Sequence, residues 1–333
     1  MRKSGLSGLE INMETKFDVV AIDSPCVDLA VNVEKLPAPN RSSRVNTFSW
    51  QGGGKASSGI VTAARMGAKC AIIGAVGDDM YGRFCKEDFE RHGVDTRGLL
   101  IRKGARSAMS VVLSDRETMG RSICWSSGDV KMPEPDELDE ELLRNCRYVF
   151  SSKFNDLTYG AYSIAKDAGA KVFVDGDSYK GKVEEIMPLI DVFVGSEFFY
   201  NAMFPDGGDM ETNIRTVMAK GPEVVVFTFG ERGCAGVDDE GFFELPAFKV
   251  DVVDTLGAGD DYHGAFVALL CKGFTPRKAA LWASAVSAIK CTRIGGRAGI
   301  PNFETLTKFM ETGEIDYTEI DQRVKFYENP FEG

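Results

Sequence analysis

Asp254-Thr255-Leu256-Gly257-Ala258-Gly259-Asp260, running on into Asp261-Tyr262-His263-Gly264-Ala265-Phe266, is the stretch that decides how this chain is read. Two glycines around an alanine let the backbone turn tightly, so several N–H groups aim at one spot. Ala265 to Leu270 reads as the opening turns of an apolar helix. A helix N-terminus with free N–H groups is an anion site. A carboxylate, Asp260, lies inside that turn. Amides that stabilise charge on a phosphoryl group, beside a carboxylate that takes the proton from an attacking oxygen, are what phosphoryl transfer to a hydroxyl requires. A lone G-x-G does no more than cap a helix. The length and order of this motif, and a second glycine cluster at Gly52–Gly54, favour the anion site.

Bulk properties narrow the class. With 333 residues the chain can bury a sizeable core. A net charge of −11 argues against a nucleic-acid surface, although a few local cations would still serve a small anionic substrate. No apolar run is long enough to span a bilayer, and Met1 to Asn12 carries no apolar signal core. Eight cysteines show no C-x-x-C and no zinc-like spacing; Cys70, Cys234 and Cys271 fall in apolar patterns and read as buried thiols. A reducing cytoplasm is the expected location. Neither the dinucleotide fingerprint nor a G-x-x-x-x-G-K-[ST] loop is present, which excludes a Rossmann dehydrogenase and a P-loop enzyme.

Along the chain, apolar strand runs alternate with helical spacing. Phe17–Ile22, Lys69–Ala75, 148–151, 171–175, 192–195 and Val224–Thr228 read as strands; Gly54–Met66, Met80–His92 and 159–168 read as helices. That alternation predicts an α/β fold with a parallel sheet covered on both faces, ligands binding beyond the carboxyl ends of the strands. Residues 1–14 read as a flexible leader and 15–312 as the main domain. Two segments, 27–48 and 107–125, break the alternation, and the second reads as a β-hairpin. The acidic tail, 313–333, carries Tyr317, Phe326, Tyr327 and Phe331 and packs either on the body or on a second subunit.

The 254–260 motif resembles the C-terminal signature of the ribokinase-like sugar kinases, the PfkB carbohydrate kinase family, which reads roughly D-T-x-G-A-G-D-x-F-x-x-G. Tyr262 stands where Phe is usual. Further collinear matches are Gly53-Gly54-Lys55-Ala56-Ser57-Ser58-Gly59, Ala75 to Gly82, Thr228-Phe229-Gly230-Glu231-Arg232-Gly233 and Cys291 to Gly296. The resemblance implies a three-layer α/β/α sandwich with a central mostly parallel sheet. It also implies a small β-sheet lid built from 27–48 and 107–125, dimerisation through that lid, and ATP-dependent phosphorylation of a hydroxymethyl group on a sugar or sugar derivative.

Residue by residue, the resemblance makes Asp260 the general base and Gly257, Ala258 and Gly259 the anion hole. Asp254 goes with the substrate side, where it holds a monovalent cation or orders the loop. Asp28 accepts hydrogen bonds from sugar hydroxyls, a task suited to a carboxylate. Gly53 and Gly54 allow close approach of the sugar, and Lys55 reaches a substrate oxygen. Ser58 stands where many members carry Asn, which makes the sugar contact shorter-armed or differently aimed. Thr228, Gly230 and Gly233 shape the nucleotide loop, and His263 matches a position near adenine, as contact or packing. Where many members have N-x-x-E, this chain has Gly195-Ser196-Glu197-Phe198-Phe199; Glu197 is the candidate metal carboxylate, with Asp175 and Asp177 as alternatives. The implied cofactors are ATP, Mg2+ and a monovalent cation such as K+.

Some readings stay open. Asp261 is extra, since the family has a small residue there, and it reads as solvent-facing or cation-associated. His92 before Gly93 closes a helix. If Arg41, Arg44, Lys103, Arg106, Arg116 or Arg121 converge with Lys55, the substrate is anionic. Phe48, Trp50 and Trp125 keep a nucleoside kinase in view. A non-catalytic sugar- or nucleotide-binding protein is the reading from another class, opposed by the intact Asp260 motif.

Overall fold

The computed structural model describes residues 16–117 and 120–331, so the expected leader lies outside the described residues. Thirteen strands are Phe17–Ile22 (β1), Cys26–Val33 (β2), Val45–Gly53 (β3), Cys70–Gly77 (β4), Val94–Arg102 (β5), Ala108–Asp115 (β6), Arg121–Ser126 (β7), Cys146–Ser151 (β8), Lys171–Gly176 (β9), Val192–Ser196 (β10), Val224–Thr228 (β11), Cys234–Asp238 (β12) and Gly241–Leu245 (β13). Nine form one sheet in the order β13-β12-β11-β10-β9-β8-β1-β4-β5. It is parallel from β11 to β5 and closes at the other edge with two antiparallel strands. The remaining four form a separate small sheet, β3-β2-β6-β7. That sheet holds both segments that broke the alternation.

The central strands are apolar on both faces, as a sandwiched parallel sheet demands. One face packs against helices Lys55–Arg65 (α1) and Met80–Arg91 (α2). The other is covered by Glu140–Arg144 (α3), Asp156–Asp167 (α4), Val183–Ile186 (α5), Glu197–Met203 (α6) and Met210–Met218 (α7). The first face is completed by Ala258–Cys271 (α8), Pro276–Cys291 (α9), Phe303–Thr312 (α10) and Thr318–Glu328 (α11). Val19 and Val20, neighbours on β1, are both fully buried, one in each core. Burying such a side chain contributes about 1.5–3 kcal/mol. Helix starts follow local chemistry: the Asp79 carboxylate accepts from Gly82 N–H, and Pro276 follows the capping Thr275.

The tail packs on the body. Tyr327 is fully buried, donates its hydroxyl to Asp88 Oδ1 at 2.6 Å, and stands 2.9 Å from His92 Nε2. His92 does follow α2 as its cap. Phe331 packs edge-on against Trp50 at 5.4 Å, so Trp50 is not free to stack on a ligand. No helix among the described residues is long and apolar enough to cross a membrane. All eight cysteines are free; Cys70 and Cys234 are buried as expected, whereas Cys271 is only half-buried.

Candidate active site

The loop before α8 turns its carbonyls backward. Gly257 takes a left-handed conformation (φ 75°) as the helix cap, and a Cβ there would lie 2.9 Å from Gly296 Cα. Both oxygens of Asp254 are spent on backbone, accepting from Leu256 N and Gly295 N at 2.9 Å each. Asp254 is 4% exposed, so it orders the loop and does not face the substrate side where the sequence reading grouped it. Helix α9 grips the loop from behind. Ser287 Oγ donates to Ala258 O at 2.7 Å, and the Lys290 ammonium donates to Asp254 O at 3.1 Å and to Leu256 O. Ala258 N–H is used by Thr255 O, whereas the N–H groups of Gly259 and Asp260 have no backbone partner among the described residues. The loop thus presents amides forward, at the positive end of α8.

Asp260 begins the helix, partly exposed. Burial pushes its carboxyl up to about 7, the Asp175 charge adds to this, and Lys55 and His263 oppose it. Asp175, buried at the end of β9, is also pushed up to about 7, first by burial, with Asp177 and Asp23 contributing. Its Oδ2 has no hydrogen-bond partner. Lys55 forms an ion pair with Asp177. Burial pulls the Lys55 ammonium down, but Asp177, Asp175 and Asp260 outweigh it and raise it, so it stays charged. His263 is buried behind the base, donating from Nε2 to Val194 O at 3.1 Å, with Asp175 Oδ1 3.5 Å away. Burial holds it neutral. It packs beside the acidic cluster, the second of the two roles expected for it.

What brings these groups together is a close crossing of α1 and α8. A Cβ on Gly264 would collide with Gly59 O, so only glycine lets the two backbones touch there. Lys55 and Asp23, at the start of α1 and after β1, then lie within electrostatic reach of Asp260. Asp23, at the end of β1, accepts from Ser57 N–H at 2.9 Å and fixes the start of α1. Asp28 lies on β2 with its carboxylate against Gly53, where a Cβ would displace it. Burial raises the Asp28 carboxyl; hydrogen bonds from Ser110 and Cys26 and the Arg297 charge limit that rise. Gly54 (φ 97°) provides the turn into α1. Ser58 is 2% exposed and buried within α1.

Strand register places the small sheet over this site. Asp28 pairs with Ser110 and Ser110 with Trp125, so their side chains share one face. Arg121, four residues before Trp125, shares it too and donates to Thr255 Oγ1 at 2.9 Å, reaching the anion-hole loop. Trp125 is 74% exposed on that face. The other basic residues do not converge with Lys55: Arg106 pairs with Asp129, and Arg41 and Arg44 are exposed.

Beyond the loop lies a cavity of about 450 Å³ with mainly apolar walls. Thr228, Gly230 and Gly233 line one part, Val250, Val252 and Tyr262 another, and Thr255, Ala258 and Gly259 its inner end. The nucleotide loop and the anion hole therefore open into one space. Glu197, the candidate metal carboxylate, is paired with Arg232 at 2.6 Å. No group of three or more potential metal ligands exists among the described residues. Magnesium on a triphosphate asks for less, one or two carboxylates with water and phosphate completing its shell. The unpartnered oxygen of Asp175, beside Asp177, fits that requirement better than Glu197.

Of the two readings of Asp261, solvent-facing or cation-associated, the first is corrected. Asp261 is fully buried, accepting from Thr62 Oγ1 at 2.7 Å. Burial pushes its carboxyl well up, against the nearby Lys290 charge. The sequence reading also missed Asp23, Lys290 and the buried Asp88–Arg297 pair (2.6 Å), whose guanidinium also reaches Gly53 O at 3.3 Å.

Comparison with known proteins adds an independent line. A family model described as pfkB family carbohydrate kinase matches residues 16–302. A 5-dehydro-2-deoxygluconokinase of Shouchella clausii is 26% identical over 332 residues, covering 92% of this chain and all of that protein. A ribokinase of Staphylococcus aureus is 24% identical over 299 residues, 87% of this chain and 98% of that one. Among solved structures, a Thermotoga maritima ribokinase superposes with a TM-score of 0.75 at 24% identity, covering 89% of this chain and all of that one.

Proposed function

Because the chain belongs to the pfkB family of carbohydrate kinases, we propose that Asp260 is the general base of its reaction and that the amides of Gly259 and Asp260 form the anion hole. The reaction class is ATP-dependent phosphorylation of a sugar or sugar acid. The acceptor hydroxyl stands between Asp260 and the cavity mouth. As the γ-phosphoryl group arrives, Asp260 removes the hydroxyl proton, and the forward-facing amides receive the charge on the transferred group. Asp28 accepts from other acceptor hydroxyls, and Lys55 holds Asp177 while keeping positive charge near the transfer path. Asp175 and Asp177 would hold magnesium, through its waters, and that ion neutralises triphosphate charge. The adenine ring lies between the Thr228–Gly233 loop and the Val250–Val252 segment.

The observation that carries this reading is one cavity lined both by Thr228, Gly230 and Gly233 and by Ala258 and Gly259, the residues directly before Asp260. Arg121 is engaged by Thr255 and the other basic residues of the small sheet do not converge with Lys55, so carboxylates outnumber cations on the acceptor side. That favours an acceptor recognised through hydroxyls, a pentose or hexulose, over one carrying a phosphate. An ADP-release screen over ribose, fructose, 5-dehydro-2-deoxygluconate, nucleosides and phosphorylated ketoses tests it. Turnover confined to phosphorylated ketoses overturns the acceptor assignment. The edge strand β7 is exposed throughout and supports self-association through the small sheet, which sedimentation of the purified chain tests.

A further inference from the structure

Lys290 is fully buried in the last turn of α9, and its ammonium has no ion pair among the described residues. A buried charge without a partner is expensive. Here it is solvated by backbone: Asp254 O and Leu256 O both accept from it. These two carbonyls flank Thr255 in the loop that ends in the anion hole. Drawing them backward turns the peptide units that follow, so that amides face the phosphoryl path. The neighbouring acidic side chain is Asp261 on α8, whose carboxyl burial pushes well up while the Lys290 charge opposes the rise. A cation held by inward-facing loop carbonyls is the arrangement a bound monovalent ion adopts.

We propose that the Lys290 ammonium is a covalently supplied monovalent cation and the positioning residue of the anion-hole loop, so that turnover needs no added potassium. This rests on the reading of Asp260 and its loop as the catalytic centre. Lys290 touches no reacting atom; it acts through the loop carbonyls. The loop's order therefore comes from the chain itself, and the α9 C-terminus, Ser287 included, is part of the transfer machinery.

The test measures the full chain with ATP, magnesium and its best acceptor, with tetramethylammonium as the only monovalent cation, then with K+, NH4+ or methylammonium added. Wild-type kcat is expected to stay within about twofold throughout; activation of tenfold or more by K+ overturns the proposal. Lys290→Ala is expected to lose roughly 10²-fold in kcat, the scale of a disabled oxyanion donor, with acceptor KM little changed. Partial recovery with K+, NH4+ or methylammonium is expected, and none with tetramethylammonium. A fall in thermal stability alone, with kcat retained, overturns it, as does a kcat loss that no small cation relieves. If Lys290→Ala does not fold, the wild-type cation series still decides. Asp260→Asn separates the two readings: turnover retained there refutes the catalytic centre itself, whereas its loss without cation rescue leaves the Lys290 test standing.

Discussion

Replacing Asp260 by Asn should stabilise the protein while abolishing its chemistry, and the two effects should part company with pH. The Asp260 carboxyl moves from 3.8 to about 7 on folding, chiefly through burial and then through Asp175. A shift of roughly three units corresponds to about 4 kcal/mol at 1.36 kcal/mol per unit. The sign follows from linkage. A carboxyl whose folded value is raised binds its proton more tightly when folded, so the native state is penalised above about pH 7. The penalty fades as pH falls toward the unfolded value and is gone below about 4. Asp260 is partly exposed and Asp175 remains in the variant, so about half of the ceiling, about 2 kcal/mol, is the expected gain at pH 8. For a domain of this size that is a rise of about 4 °C in melting temperature. Melting curves of wild type and Asp260→Asn from pH 4.5 to 8.5 measure it, with kcat recorded alongside. The variant should gain at pH 8, lose that gain by about pH 4.5, and turn over roughly 10²–10⁴-fold more slowly. A variant less stable than wild type at pH 8, or a gain that does not shrink on acidification, refutes the electrostatic reasoning.

Other outcomes follow from the same geometry. The rate should fall on the acid side of about pH 7 as Asp260 and Asp175 take up protons, and Lys55→Met should move that limb to higher pH; an unmoved limb removes Lys55 from the electrostatics of the base. Tyr327→Phe leaves the buried Asp88 Oδ1 without its hydroxyl donor, so stability should drop by about 1–3 kcal/mol. Because Arg297 links Asp88 to Gly53 O, acceptor KM should rise several-fold while ATP KM holds. Equal changes in both constants would show a general loosening instead. A non-reacting acceptor analogue with ATP should slow hydrogen exchange in 26–53 and 108–126; unchanged exchange there at saturation would mean the small sheet does not close.

The alternation of strands and helices was legible because each element keeps its own period, and the β1 and β11 spans read from sequence match those of the structure. The glycine loops were legible because chain order preserved them. What escaped was whatever depends on pairing across the chain. Asp88 and Arg297 are 209 positions apart, and neither carries a local sign of its partner. Lys290 resembled an ordinary polar residue near a helix end. Asp261 was misread beside Asp260, although a signal existed. At helical spacing it shares a face with Gly264, Ala265 and Ala268, the face turned to the core, whereas Asp260 points elsewhere. His263 left contact and packing both open, and its buried neighbours Tyr262 and Gly264 agree with packing.

The methyl-free crossing of Gly59 and Gly264 also limits how the enzyme can move. With two backbones in direct touch, helices α1 and α8 pack as one stiff block. Under the proposed function, admission and release of reactants fall to the four-stranded sheet rather than to a separation of α1 from α8. The spacing of α1 and α8 at that crossing is already set before any ligand arrives.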